Sequence, residues 1–209
     1  MGQALVEISE VKNLNETLFE EKTEKVLAEL EKTRTEFWNL DRDCANFLNT
    51  LIKINKSKNV LEIGTSNGYS GIWILKALEE TKGKLTTIEF WEKRQSTARK
   101  NFAYCCPNSL VEPKIGSAVV VLEDILEEVK QNKRAMFDFV FIDANKKEYI
   151  DYFNLIDKML SPSGVILADN ILSHYEKVKP YCDSLFSCDN YQSQILPLGT
   201  GMMLSRKKA

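Results

Sequence analysis

A heavily charged stretch runs from Asn13 to Phe37, in which apolar residues fall at Leu18, Val26, Leu27 and Leu30. That spacing predicts an amphipathic helix with one modest buried stripe. The dozen residues before it carry little pattern and are expected to be mobile. Asp41 stands where it can cap a second helix carrying Phe47, Leu48, Leu51 and Ile52. Beyond Lys58 the period changes. Short apolar runs at Asn59–Ile63, Lys84–Glu89, Val111–Ile115, Phe137–Ile142 and Gly164–Ala168 read as strands. Helical segments separate them, from near Gly68 to Leu78, Glu92 to Ala103, Val119 to Lys130 and Lys146 to Leu160. Pro113 cannot donate to a ladder, so the third strand belongs at a sheet edge. Phe137–Ile142 is nearly continuous in apolar character, as in a strand buried on both faces. Ser161-Pro162-Ser163-Gly164 reads as a turn, and Tyr191–Pro197 and Met202–Arg206, joined through Gly199-Thr200-Gly201, read as a terminal hairpin.

Strand alternating with helix builds an α/β fold: a Rossmann-like, doubly wound, mainly parallel seven-stranded sheet with a C-terminal antiparallel hairpin and helices on both faces. With neither repeat nor low-complexity linker, residues 1–209 read as one domain, a helical extension over 1–37 and a catalytic core over 38–209. The N-terminal helix is expected to cover the domain or to pack on a second copy in a homodimer. Lys+Arg 28 against Asp+Glu 30 leaves a net charge of -2, which argues against binding a nucleic-acid backbone by bulk charge. No apolar run approaches the ~20 residues that cross a bilayer, and the start lacks a signal-peptide pattern. The five cysteines, 44, 105, 106, 182 and 188, form no C-x-x-C pair and suggest no zinc site. A reduced, cytoplasmic protein is the expectation.

Ligands of such sheets sit beyond the carboxyl ends of the strands. The first strand runs into Glu62-Ile63-Gly64-Thr65-Ser66-Asn67-Gly68-Tyr69-Ser70, and Gly64 and Gly68 allow a tight turn and close approach to a ligand. The spacing G-x-x-x-G is not the dinucleotide fingerprint, so a pyrophosphate cradle is not favoured. The second strand ends in Glu89, where a carboxylate can accept hydrogen bonds from both ribose hydroxyls. Together these features point to an adenosine ligand without phosphates, for which S-adenosylmethionine fits best.

With Phe139-Val140-Phe141-Ile142-Asp143-Ala144-Asn145-Lys146 added, the sequence resembles the class I metal-dependent O-methyltransferases, among them catechol and caffeoyl-CoA O-methyltransferases and their bacterial relatives. The resemblance runs from about Trp38 to the C-terminus. It implies that Leu40, Gly64, Thr65 and Ser70 line the methionine end of the cofactor, that Glu89 holds the ribose, that Ser117 and Ala118 border the adenine, and that Glu62 and Asp143 also belong to the cofactor-binding set. Ser117 stands where many bacterial relatives carry Asp. The chain also lacks the longer insertion that many of those relatives carry after Asn170, Ile171 to Pro180 passing straight into the next helix.

Asp143 closes the fourth strand, and Asp169 and Asn170 close the fifth. Two carboxylates and an amide carbonyl suit a hard octahedral cation, Mg²⁺ or another divalent ion such as Mn²⁺ or Ca²⁺, rather than zinc. Asp169 and Asn170 alone would pass for strand and turn caps, but Asp143, ending so apolar a strand, calls for a partner. The resemblance assigns the same three positions to the metal and makes Lys146 the general base, a group whose ammonium form is disfavoured near a cation. Lys147 reads as a solvated charge. His174, the sole histidine, lies where the caffeoyl-CoA branch contacts substrate, though an ordinary loop histidine is the commoner case. Trp38 is a second substrate candidate, able to attract a sulfonium through its ring. Trp73 reads as core, and Trp91 as a contact at a helix start. The function expected is methyl transfer to a hydroxyl of a small catechol-like aromatic. Methylation of a hydroxylated tRNA uridine is the alternative within enzymes, and a catalytically silent cofactor-binding regulator the alternative outside them.

Overall fold

In the computed structural model, residues 8–106 and 110–209 are described, with side chains from Thr17 onward. The first seven residues, part of the segment expected to be mobile, lie outside the described residues. The elements run α1 (Ile8–Glu31), α2 (Arg34–Phe37), α3 (Arg42–Ile54), β1 (Asn59–Ile63), α4 (Tyr69–Thr81), β2 (Lys84–Glu89), α5 (Glu92–Cys105), β3 (Val111–Ile115), α6 (Ala118–Lys130), β4 (Phe137–Ile142), a 3₁₀ turn (Lys146–Glu148), α7 (Tyr149–Ile156), β5 (Leu160–Ala168), α8 (Tyr175–Ser187), β6 (Tyr191–Leu196) and β7 (Met202–Lys207).

One seven-stranded sheet has the order β3-β2-β1-β4-β5-β7-β6. The first five strands pair in parallel, and β7 runs antiparallel to both β5 and β6. Alternate side chains of the central strands feed two cores. Val60, Leu85, Phe139, Phe141 and Leu167 pack with α3, α4 and α5 and with Leu27 and Leu30 of α1. Leu61, Ile63, Val140, Ile142 and Ile166 pack with α6, α7 and α8 on the other face. Pro113 lies on an edge strand, as its missing N–H requires. Strand order reverses between β1 and β4, so a crevice opens above their carboxyl ends.

Several expectations are corrected. The N-terminal helix begins at Ile8 rather than Asn13 and does not continue to Phe37: it stops at Glu31, and the Thr33 amide and hydroxyl both bond to the carbonyl of Leu30. Leu18 is exposed, so the buried stripe of α1 begins further along, at Thr23, Leu27 and Leu30. Asp41 precedes α3 but makes no side-chain cap bond; its Oδ1 pairs with Arg34 instead. Ser161 to Gly164 is not a turn before β5 but a bulge within it. Phe137 pairs with Leu160 and Phe139 with Val165, so the extra residues of β5 bow out of the ladder. Trp73 is buried and Trp91 precedes the first turn of α5, as read from sequence. All five cysteines are free, and among the described residues no helix is long and apolar enough to cross a membrane.

Candidate active site

The ladder continues one step past each strand end, and this step builds the site. The Gly64 amide donates to Ile88 O, the Asp143 amide to Ile63 O, and the Asp169 amide to Ile142 O, each at 2.9 Å. Residues 64, 143 and 169, remote in sequence, therefore become neighbours along one sheet edge. At Gly64, with φ +104°, a Cβ would lie 2.0 Å from the carbonyl oxygen of Asp143, so only glycine lets the two chain segments pass this closely. The cavity above this edge has a volume of about 1020 Å³, within the upper range for small-molecule sites.

One end of the cavity is formed by the tips of β1 and β2. Glu89 is buried, and backbone amides hold both its oxygens: Ser66 N on Oε2 at 2.8 Å and Trp91 N on Oε1 at 2.9 Å. Each oxygen keeps a lone pair for a further donor, so the carboxylate is aimed before any ligand arrives. Below it Glu62 is fully buried and accepts from Ser70 Oγ and Thr87 Oγ1, each at 2.6 Å, while Thr87 shares a 2.5 Å hydrogen bond with Thr65. Burial pushes the Glu62 carboxyl up to about 7 against the pull of the two hydroxyls, with smaller contributions from the charges of Asp143 and Glu89. Leu40, Thr65 and Ser70 line this end, and Ser117 and Ala118 meet the cavity where α6 begins.

The other end is acidic. Asp169 is buried, and burial together with the negative charge of Asp143 holds its carboxyl above the usual range. Lys146, on the 3₁₀ turn, places Nζ 2.8 Å from Asp143 Oδ1. Asn170 adopts φ +62° and uses its amide nitrogen twice, towards Asp169 Oδ2 at 3.2 Å and Thr200 Oγ1 at 2.8 Å, so its oxygen is spent on neither. Two mutually repelling carboxylates and a free amide oxygen form an oxygen-only donor set beside one another, and such a set fits a hard divalent cation.

The O-methyltransferase family profile matches residues 12–208. The chain belongs to that family. It is 36% identical over 126 residues to a catechol O-methyltransferase of Niastella koreensis, an alignment covering 60% of this chain and 55% of that protein. It is 31% identical over 198 residues to caffeoyl-CoA O-methyltransferase 1 of Zea mays, covering 81% and 73% respectively. The chain thus spans only about half the length of the first curated relatives it matches. Among solved structures, the O-methyltransferase from Bacillus cereus in complex with SAH superposes with a TM-score of 0.77 at 27% identity, covering 90% of this chain and 91% of that one.

In this member of the O-methyltransferase family, the candidate cofactor, metal, catalytic and substrate residues read from sequence border the same cavity, except Glu62, which lies beneath it. Gly68, expected to let the backbone approach a ligand, does not line the cavity: a Cβ there would meet Phe102 and Ala98 of α5, so its close approach is to that helix. His174 stands on its outer wall beside Ser173, whose Oγ is 2.9 Å from Nδ1; partial burial and then the charges of Lys146 and Lys177 lower its pKa. Trp38 is 74% exposed at the mouth, and its ring carries the guanidinium of Arg94 at 5.3 Å. Arg94 and Thr200 also border the cavity and were not read from sequence. Arg94 lies on the first turn of α5, and nothing in its neighbours marks it out. Thr200 had a faint signal, standing between two glycines in the hairpin connection.

Proposed function

We propose that the chain is an S-adenosylmethionine-dependent O-methyltransferase that uses a divalent cation and methylates a hydroxyl of a small catechol-like aromatic. The carrying observation is that Gly64, Ser70 and Glu89 at one end, and Asp143, Lys146, Asp169 and Asn170 at the other, border one cavity. Residues 38–209 form the catalytic core in this reading, with 1–37 as an extension. The relatives named catechol and caffeoyl-CoA O-methyltransferase support the acceptor class, and the SAH complex of the Bacillus cereus protein supports the donor.

Glu89 receives the ribose hydroxyls of the donor, with both carboxylate oxygens already oriented by backbone amides. Ser70, whose proton is committed to Glu62, offers its lone pairs to the ammonium of the methionine end, where Leu40 and Gly64 close the wall. Asp143, Asp169 and Asn170 would hold the cation through oxygen, and Mg²⁺ bound there would supply Lewis-acid polarisation of adjacent acceptor oxygens. Lys146 Nζ, 2.8 Å from Asp143 Oδ1 and on the same cavity wall, would take the proton from the acceptor hydroxyl as the neutral amine, once Asp143 is engaged by the cation instead of by an ammonium. The hydroxyl oxygen then forms the new bond to the methyl carbon as the carbon–sulfur bond breaks in line. Trp38 and His174 flank the acceptor at the mouth.

The test is methylation of a panel of catechols and single phenols by the purified chain, with and without EDTA. Vicinal diols are expected to be methylated, with activity lost on chelation and restored by Mg²⁺. Turnover that survives EDTA would refute the metal-dependent mechanism, and a preference for isolated phenols would refute the diol.

A further inference from the structure

We infer that Thr200 is a positioning residue for the proposed cation site, its hydroxyl deciding which end of the Asn170 amide is left for the cation. The inference rests on the metal-dependent reading above. A carboxylate only accepts hydrogen bonds, so the 2.9 Å contact with Asp169 Oδ1 obliges Thr200 Oγ1 to donate its single proton there. What remains on Oγ1 is a pair of acceptor sites, one of which faces Asn170. An amide oxygen turned towards it would set lone pair against lone pair. The nitrogen therefore goes in, 2.8 Å from Oγ1, and the same nitrogen reaches Asp169 Oδ2 at 3.2 Å. Asn170 Oδ1 is thereby kept for another partner. One hydroxyl relays the polarity of Asp169 onto its neighbour.

Backbone bonds keep Thr200 in place. Its carbonyl accepts from Leu172 N at 3.1 Å and Ser173 N at 3.0 Å, and Gly201 O accepts from Ile171 N at 2.9 Å. The connection before β7 is thus tied to the loop after Asn170 at three points. It reaches that loop because β7 lies antiparallel against β5, with Met203 opposite Ala168, so the start of one strand adjoins the end of the other. Ligand-orienting partners of this kind alter metal affinity by about 10–100-fold when removed.

Thr200→Val removes the hydroxyl while nearly conserving shape, Thr200→Ser keeps the hydroxyl, and Thr200→Ala serves if the valine variant does not fold. Mn²⁺ binding by the full chain is followed by calorimetry and by the EPR signal of free Mn²⁺, with SAH present and no acceptor. Wild type and Thr200→Ser are expected to bind alike within about twofold, and Thr200→Val about tenfold or more weakly. SAH affinity and near-UV circular dichroism should match wild type in both variants. Thr200→Val binding Mn²⁺ as tightly as wild type would overturn the positioning role alone. So would Thr200→Ser failing as badly as Thr200→Val. No Mn²⁺ uptake by wild type would overturn it together with the metal-dependent reading.

Discussion

Replacing Glu62 by Gln isolates the cost of a carboxylate sealed beneath the cavity. Glu62 is fully buried, and the backbone of α4 presses so close that a Cβ at Gly71 would lie 3.2 Å from Oε2. Its carboxyl is pushed up to about 7 from an ordinary 4.5. At about 1.4 kcal/mol per pH unit the difference corresponds to about 3 kcal/mol. The folded state keeps this proton between the two values, where the unfolded chain has already lost it. Stability from Glu62 is therefore full below pH 4.5 and is lost as the pH rises through about 7. Gln imitates the protonated form. Its Nε2 can donate to Thr87, which can donate in turn to Thr65, since either hydroxyl of that pair can be the donor. Urea unfolding of both proteins without ligand, at pH 5.5 and at pH 8.5, separates this group from every other titration, because only Glu62 differs. The stability of Glu62→Gln relative to wild type should rise by about 2 kcal/mol across that interval. A relative stability that stays constant would mean that Glu62 titrates alike folded and unfolded, and would refute the assignment of a neutral buried carboxyl.

Two further outcomes follow from the geometry of the sheet edge. Lys146→Ala should lower kcat by about 100-fold or more while leaving SAH affinity nearly unchanged by calorimetry, since Lys146 takes no part in the hydrogen bonds that orient Glu89 and Ser70; unchanged turnover would remove it from the mechanism. Gly64→Ala places a Cβ 2.0 Å from a backbone oxygen at a positive φ, so it should destabilise the fold by about 3 kcal/mol or more in urea unfolding and weaken donor binding. A variant as stable as wild type would show that the β1 and β4 ends are free to separate.

Much of this protein is written locally. The apolar runs of β1, β2, β4 and β5 and the helical periods between them specify a parallel sheet, since each element carries its own burial pattern and the crossovers admit few alternatives. The same runs end in Glu89, Asp143 and the Asp169-Asn170 pair, and every parallel strand ends on the same edge. The chemistry of that edge was legible for this reason. Three other features depend on contacts between distant segments. Asp41 reads as a helix cap, yet Arg34 takes its carboxylate. Ser161 to Gly164 reads as a turn, yet the pairing of Leu160 with Phe137 draws it into β5 as a bulge. Thr200 reads as part of a hairpin connection, yet the insertion of β7 between β5 and β6 sets its hydroxyl against Asp169 and Asn170. A short polar side chain bonds whatever the strand order brings beside it. The amino-acid sequence alone therefore determined which elements form and what chemistry their ends carry, while only tertiary structure decided which polar groups are spent on one another and which remain for a ligand.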